Sequence, residues 1–590
     1  MEIIRTPKEQ AAYDRYIEEV KKLEDNPNQG LGIYVEDNAE KYPEKIALYF
    51  GENSWTWKQF NEEANLYANW FLKQGLKPGD NVALMMENSP EYLFIATGIN
   101  KIQSVCALVN INLRSQALIH SIKIVCPKYV IIDGDCLPSL LEVMKELSFK
   151  DDEILVLNNS DIKQRDFVDL KKKLRDISNN NPISTKNSTL AETAFYIYTS
   201  GTTGLPKAVI MTNFSISING VYYGHSVTQA NFDDIILISN PLYHSLSFCT
   251  ALGIYVYMGA TAVLRKKFSA SNFWKDIQKY KITFATYVGE IPRYILNQPP
   301  SEYEKNHTLK KMLGLGLRKD IWIKFKERFQ IEHIFEYYSS TEGYGPIVNM
   351  DEVPGMIGRN TNENHALAKI NPETLEFYKN GEGYYIKCEP GDVGMSLMKI
   401  LDIENFTKYR NKEKTNERVI RNVFEDGDAY FITGDLLQLH DNLWLSFADR
   451  VGDTFRWKGE NVSTLEVENL LSTNESILIS AVYGVEIPHH EGKAGMAALK
   501  IDPEIGFKPN DISEFVLKVL PKYSIPLFIR IREELEVTGS KKIRKSNLRR
   551  EGYNINEINE PLYFWDLKEN RYTKFDTSIY NKLMKGKIRV

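Results

Sequence analysis

The sequence predicts an α/β fold built on a largely parallel sheet, followed by a smaller α+β piece. Three observations predict it. Between about residues 30 and 140, helical patterns alternate with short apolar runs, and the alternation resumes from about 194 to 334. Strands fed by crossover helices pack that way. Residues 465–590 carry a different, mixed order of helices and strands. The chain has 590 residues, too many for a single ordinary core, so two or more domains are expected.

Taken in order, residues 8–24 place Ala12, Tyr13, Tyr16, Ile17, Val20 and Leu23 on one helical stripe, which suits a helix docked on the main domain. Residues 81–86 (NVALMM) and 129–132 (YVII) are mainly apolar and predict buried strands. Residues 90–99 and 115–124 predict helices, the first with Ser89 as N-cap and Pro90 in its first position. Residues 176–189 are polar and turn-rich, as in a surface connection. Residues 247–264 form an uncharged, mainly apolar stretch. Gly253 and Gly259 interrupt it, with Thr250 and Thr261 nearby. It predicts a buried helix to about Gly259 and then a core strand, 261–264, stopped by Arg265, Lys266 and Lys267, rather than a membrane span. Runs at 384–386 and 430–432 look strand-like. The last piece predicts a helix near 465–472, strands at 477–485 and 494–501, a helix near 511–520 and a strand at 528–531.

Composition excludes several classes. Hydrophobic residues are 43% and charged residues 26%, as in soluble globular proteins. A net charge of -5 gives no basis for nucleic-acid binding. The five cysteines are scattered without a C-x-x-C pair, which argues against a disulfide framework or structural zinc and for a reducing compartment. The N-terminus, MEIIRTPKEQ, has no signal-peptide character. The expected location is cytoplasmic, with peripheral membrane contact left open.

The most informative stretch lies between two β-type runs, 195–198 and 208–211. It reads Thr199, Ser200, Gly201, Thr202, Thr203, Gly204, Leu205, Pro206, Lys207. Glycines let a turn expose consecutive N–H groups to an anion. Hydroxyls add rotatable donors, and lysine adds a mobile charge. The set suits a polyphosphate better than a plain hairpin turn. It is not a Walker loop, because the spacing differs and a strand rather than a helix is expected to follow.

TSGTTGLPK resembles the signature of the adenylate-forming superfamily of acyl-CoA synthetases, peptide-synthetase adenylation domains and luciferases. Later segments fit it in order. Tyr338 to Glu342 resembles the Y-G-x-T-E loop, with Ser339 where glycine is usual. The resemblance implies that Tyr338 stacks on adenine, Thr341 sits near the α-phosphate and Glu342 helps hold Mg2+. Tyr430 to Asp435 resembles Y-x-x-T-G-D, which implies that Asp435 accepts the ribose hydroxyls. The segment from Asp449 to Ser463 closely resembles the very-long-chain acyl-CoA synthetases, also called fatty acid transport proteins. It implies that Arg450 binds ribose, Gly452 is an interdomain hinge and Gly459 lies beside the coenzyme A tunnel. Thr538 to Lys545 resembles the catalytic-lysine segment. It places that lysine at Lys542, with Lys541 one step away, in a basic run that also reads as a solvated face. Pro241 to Ser245 resembles the acyl-pocket segment, implying pocket roles for Tyr243 and His244. Gly314 to Arg318 and Tyr287 to Glu290 resemble further subfamily segments, which implies that the glycines lie near adenine, with Gly314 also counted to the acyl pocket, and that Tyr287 to Glu290 lies near the acyl tunnel.

The resemblance spans about residues 30–555 and implies a large domain, 1–450, and a small mobile one, 451–590. It implies an ATP-dependent ligase that forms acyl-AMP and then acyl-CoA, with Mg2+ as cofactor and with ATP, coenzyme A and a long- or very-long-chain fatty acid as substrates. Rival expectations are a ligase for a bile, carnitine-type or aromatic acid, an enzyme that loads a carrier protein, or a non-catalytic uptake or scaffold protein.

Overall fold

The computed structural model describes residues 5–590 apart from 159–166, 200–204, 318, 344, 372–375, 404–405, 451–453 and 536–544. The chain divides into two compact units. The first comprises Met1–Ile111, Ser121–Tyr198 and Ala208–Asp449, and the second Asn112–His120, Thr199–Lys207 and Arg450–Val590.

The alternating pattern folds into two sheets with parallel centres. One runs Val168–Asp169, Ile154–Leu157, Tyr129–Asp133, Asn81–Met85, Val105–Leu108, Thr193–Thr199, Lys207–Thr212. Its inner pairs are parallel, with Ala83 opposite both Ala107 and Val130. Every residue of Asn81–Met85 is buried, which explains why this strand is apolar on both faces. The second sheet runs Ile347–Val348, His333–Tyr338, Lys311–Leu315, Phe284–Val288, Ile235–Ile238, Thr261–Leu264, Ile46–Phe50, Asn53–Thr56. Its outermost pairs are antiparallel. A third, antiparallel sheet contains His365–Lys369, Val393–Lys399, Ala429–Leu439 and Trp444–Arg450.

Local signals behave as their chemistry demands. The helix Pro90–Lys101 starts at Ser89, whose hydroxyl accepts from Tyr92 N at 3.3 Å. The helix Pro7–Asp25 opens on a reciprocal cap, Thr6 with Glu9. Of its stripe, Ala12 and Leu23 are buried, but Tyr13 and Ile17 stay exposed. The helix is held by Ala12 and Leu23, by Tyr16 packed edge-on against Tyr222 and by polar contacts such as the buried Glu9–Arg359 pair at 2.8 Å. The long apolar stretch forms a helix that begins with a π-helical segment, Leu246–Ala251, continues as Leu252–Met258 and ends at Gly259 with φ of 60°. The buried strand Thr261–Leu264 follows. Among the described residues, no helix is long and apolar enough to cross a membrane.

Two expectations need correcting. Of residues 384–386 only Tyr385 forms a β-bridge, an isolated one with Lys379 across the Asn380–Gly383 turn, so the run is not a strand. Residues 176–189 are not merely a surface connection. Asn179 and Asn181 bond to Asn61 and Asn65 on the helix Trp57–Lys73, and Thr185 and Ser188 are fully buried.

The second unit is α+β. Its sheet runs Ile477–Glu486, Lys493–Ile501, Phe528–Ile531, Leu562–Asp566, Arg571–Lys574, with the helices Thr464–Leu471, Pro509–Val519 and Thr577–Met584. Its own core gathers Val467, Val482, Met496, Val516 and Phe528.

Candidate active site

The strand Ala429–Leu439 carries the most legible piece of local engineering. Opposite it, Val393–Lys399 slips register between Met395 and Leu397, so Thr433, Gly434 and Asp435 face Ser396 alone. Gly434 takes φ of 85°, a conformation that glycine adopts without a Cβ clash. Thr433 staples the bulge: its hydroxyl donates to Ser396 O at 2.9 Å and accepts from Asp435 N at 3.1 Å. A bulge re-aims side chains, and here it sets the direction of Asp435. The Tyr338 hydroxyl donates to Asp435 Oδ2 at 2.8 Å. Burial, with the Asp435 charge adding to it, pushes the Tyr338 hydroxyl pKa well above its ordinary value.

From Tyr338 the chain leaves the strand His333–Tyr338 into the Ser339 to Glu342 turn. The Thr341 hydroxyl lies 3.3 Å from Ser245 Oγ. Glu342 Oε1 accepts from the Tyr409 hydroxyl at 2.6 Å. Tyr409 is itself fixed by the backbone. Ile210 N donates to Lys408 O and Arg410 N to Ala208 O, both at 2.9 Å, so the segment pairs with the strand that leaves the glycine-rich loop. Burial lowers the Lys408 pKa, partly opposed by the Glu342 carboxylate.

Tyr243 and His244 sit on a turn gripped by buried Asn88, which donates to Asn240 O at 2.9 Å and accepts from Leu242 N at 2.8 Å. Tyr243 is buried with its ring against His244, and the His244 carbonyl starts the following helix by accepting from Ser247 and Phe248 N–H. Gly314 lies inside the strand Lys311–Leu315. A Cβ there would fall 2.1 Å from Tyr287 O and 2.6 Å from its ring, so close strand packing alone requires glycine. The Tyr287 hydroxyl donates to buried Glu336 at 2.8 Å.

The structure therefore joins Tyr338 with Asp435, Thr341 with Ser245, and Glu342 with Tyr409. Thr199 ends one strand and buried Lys207 begins the next. Ser200, Gly201, Thr202, Thr203, Gly204, Gly452, Lys541 and Lys542 lie outside the described residues. Arg450 closes the strand Trp444–Arg450. Gly459 forms, with Lys458, a two-residue turn with φ of 84° and 51°, joining Thr454–Trp457 to Glu460–Ser463. This segment is therefore an antiparallel hairpin. In the basic run, Lys545 is not solvated: its Nζ pairs with Glu468 at 2.8 Å and donates to Thr464 Oγ1 at 3.1 Å.

Sequence reasoning gave no role to Tyr409, Ser245, Ser396, His365 or Thr433. Thr433, standing before Gly434 in the strand, and Ser245, closing the Pro241 to Ser245 segment, had local signals; the others had none.

The Glu342 carboxylate is a hard oxygen donor, half-buried and held by the Tyr409 hydroxyl. Among the described residues, no group of three or more His, Cys, Asp or Glu could hold a metal. The carboxylate is the ligand type that Mg2+ takes, one or two at a time, with phosphates and water completing its shell.

On this α/β scaffold the Tyr338 hydroxyl and the Asp435 carboxylate meet at 2.8 Å, and comparison with known proteins supplies the class, the AMP-binding enzymes. The family model for AMP-binding enzymes matches residues 35–384. The chain is 36% identical to long-chain fatty acid transport protein 1 of Mus musculus over 562 residues, covering 93% of this chain and 86% of the relative. It is 32% identical to the medium/long-chain-fatty-acid–CoA ligase FadD6 of Mycobacterium tuberculosis, covering 91% and 88%. It belongs to the AMP-binding enzymes, in the branch that holds these fatty acid transport proteins and fatty-acid–CoA ligases. The fold is shared with a Mycobacterium tuberculosis fatty acyl CoA synthetase (TM-score 0.59, 21% identity, 89% of this chain and 98% of that one). It is also shared with o-succinylbenzoate CoA synthetase of Bacillus subtilis (TM-score 0.69, 20% identity, 88% and 98%).

Proposed function

We propose that this chain is an AMP-forming ligase that joins a long- or very-long-chain fatty acid to coenzyme A. The observation that carries the reading is the Tyr338–Asp435 pair, built by a stapled bulge, one turn from Thr341 and Glu342. It supports an adenosine site at one end and a phosphate site at the other. In the first half-reaction a carboxylate oxygen of the acid attacks the α-phosphorus of ATP. The bond from that phosphorus to the bridging oxygen breaks, and pyrophosphate leaves. Glu342 would hold Mg2+, which would supply neutralising charge at the phosphates when bound. In this reading Thr199 to Gly204 and Lys207 cradle the phosphates, Thr341 meets the α-phosphate, and Asp435 and Arg450 hold the ribose. Lys542 stabilises charge as acid and phosphate meet. In the second half-reaction the thiol sulfur attacks the acyl carbonyl, AMP leaves and the thiol proton passes to solvent. Rotation about Gly452 would exchange Lys542 for the coenzyme A tunnel beside Gly459.

The names of the relatives support a long acyl chain, with Tyr243, His244 and Gly314 near its pocket. Such an acid partitions into bilayers, so peripheral membrane contact belongs to the reading. The test is pyrophosphate release across a panel of acids, with and without coenzyme A. Release should need an acid and favour long chains, and thioester should appear only with coenzyme A. Preference for an aromatic or bile acid would overturn the substrate class. Release indifferent to any acid would overturn the reaction.

A further inference from the structure

Asp435 and Tyr338 are joined to a buried polar chain that the reaction above leaves unused. His365, on the strand His365–Lys369, is buried, and its Nδ1 lies 2.9 Å from Asn360 Oδ1. Its Nε2 lies 2.9 Å from Ser396 Oγ, and Ser396 is fully buried. The Tyr338 hydroxyl lies 3.3 Å from Ser396 Oγ and 2.8 Å from Asp435 Oδ2. The strands Val393–Lys399 and Ala429–Leu439 bring these groups together exactly where the bulge sits, so the chain runs from the sheet interior to the aimed carboxylate.

The order of protons follows from the acceptors. An amide oxygen only accepts, so His365 Nδ1 carries the ring proton. Asn360 Nδ2 donates to His365 O at 3.4 Å, which keeps the amide in that orientation. His365 Nε2 is then the bare nitrogen and accepts a hydrogen bond from the Ser396 hydroxyl. With its hydrogen directed at the ring, Ser396 Oγ meets Tyr338 as an acceptor, and the Tyr338 hydroxyl directs its own hydrogen to the nearer and charged partner, Asp435. Burial keeps the imidazole neutral by pulling its pKa down to about 4, so the order is stable across working pH.

We propose that His365 and Ser396 are positioning residues for the nucleotide ribose: they fix the Tyr338 hydroxyl against Asp435 and so hold the carboxylate in one orientation toward the sugar. The proposal rests on the ribose role given to Asp435 above and names what sets its geometry. Without the imidazole, the buried Ser396 donor loses its fixed acceptor and rotates. Without the serine, Tyr338 loses its tie to the sheet. Either change frees the tyrosine and the carboxylate to move apart, and a buried network of this kind is worth most when every member is satisfied.

The test is equilibrium binding of ATP and of 2′,3′-dideoxy-ATP to the full-length protein by calorimetry, with thermal unfolding of each variant. Wild type should prefer ATP. Ser396→Ala and His365→Leu should each weaken ATP by roughly 5- to 20-fold and leave dideoxy-ATP within about two-fold. The double variant should lose little more than either single one. His365→Gln, whose amide oxygen can accept the serine proton, should keep most of the affinity. Equal losses for both nucleotides would mean a purely structural role and overturn the proposal, as would ATP binding that ignores all three substitutions. A wild type that binds the two nucleotides equally would instead overturn the ribose assignment of Asp435, and the proposal with it.

Discussion

Replacing Tyr409 by phenylalanine should slow adenylation without unfolding the protein. The hydroxyl donates to Glu342 Oε1 at 2.6 Å, a hydrogen bond to a charged acceptor. Such bonds are worth about 1.5–3 kcal/mol. Phenylalanine leaves no stranded donor behind, and half-buried Glu342 can recruit water, so the lower part of that range applies. A loss of about 1.5–2 kcal/mol is roughly a 10- to 30-fold fall in kcat/KM for ATP. The ring should stay in place, since Tyr409 is buried near Phe431 and its neighbours are held by backbone pairing to the strand Lys207–Thr212. The assay is pyrophosphate release at saturating acid while magnesium is titrated, with Glu342→Ala alongside. The half-saturating magnesium should rise in Tyr409→Phe, and the double variant should be no worse than Glu342→Ala. An unchanged kcat/KM, or a fall matched by an equal loss of thermal stability, would refute the idea that Tyr409 orients Glu342.

Thr433→Val strands two buried backbone groups, Ser396 O and Asp435 N, at about 1–3 kcal/mol each. The urea midpoint should fall and the KM for ATP should rise together, and a variant with neither change would remove the staple from the account. Lys101, fully buried against Glu36 at 2.8 Å, has its pKa held down to about 8 by burial despite that carboxylate. Between there and about 10.4 the unfolded chain keeps a proton that the folded chain has released, so stability should climb with pH by up to about 1.4 kcal/mol per unit. Lys101→Met should flatten that rise in urea titrations, and an identical slope would contradict it. Lys542→Ala should cripple adenylate formation yet still turn synthetic acyl-adenylate into thioester, whereas Lys541→Ala as the dead variant would move the role by one residue.

Much of the fold was legible because its signals are local. The parallel strands announce themselves as short runs apolar on both faces, as at residues 81–85. Ser89 and Pro90 mark a helix start in adjacent positions, and Gly259 marks a helix end. The π-helical opening of Leu246–Ala251 was not legible, because it shares its apolar composition with an α-helix. The site divides the same way. Asp435 stands in a run whose Thr433 and Gly434 are the chemistry of a bulge, so its neighbourhood could be anticipated. His365 and Ser396 stand 31 residues apart, and Tyr409 stands 67 residues from Glu342. Only sheet registration and loop packing bring them together, and no short window of sequence contains that information. Gly314 shows the opposite limit: a glycine inside a motif invites a binding role, while its backbone neighbour Tyr287 already explains the missing side chain.

The central claim is that the acid's own carboxylate attacks the α-phosphate of ATP. The most direct measurement uses a long-chain fatty acid carrying oxygen-18 in both carboxyl positions, with ATP, magnesium and coenzyme A. Mass spectrometry of the products should find one labelled oxygen in AMP, one in the thioester carbonyl and none in pyrophosphate. Unlabelled AMP, or ADP and phosphate in place of AMP and pyrophosphate, would contradict the account.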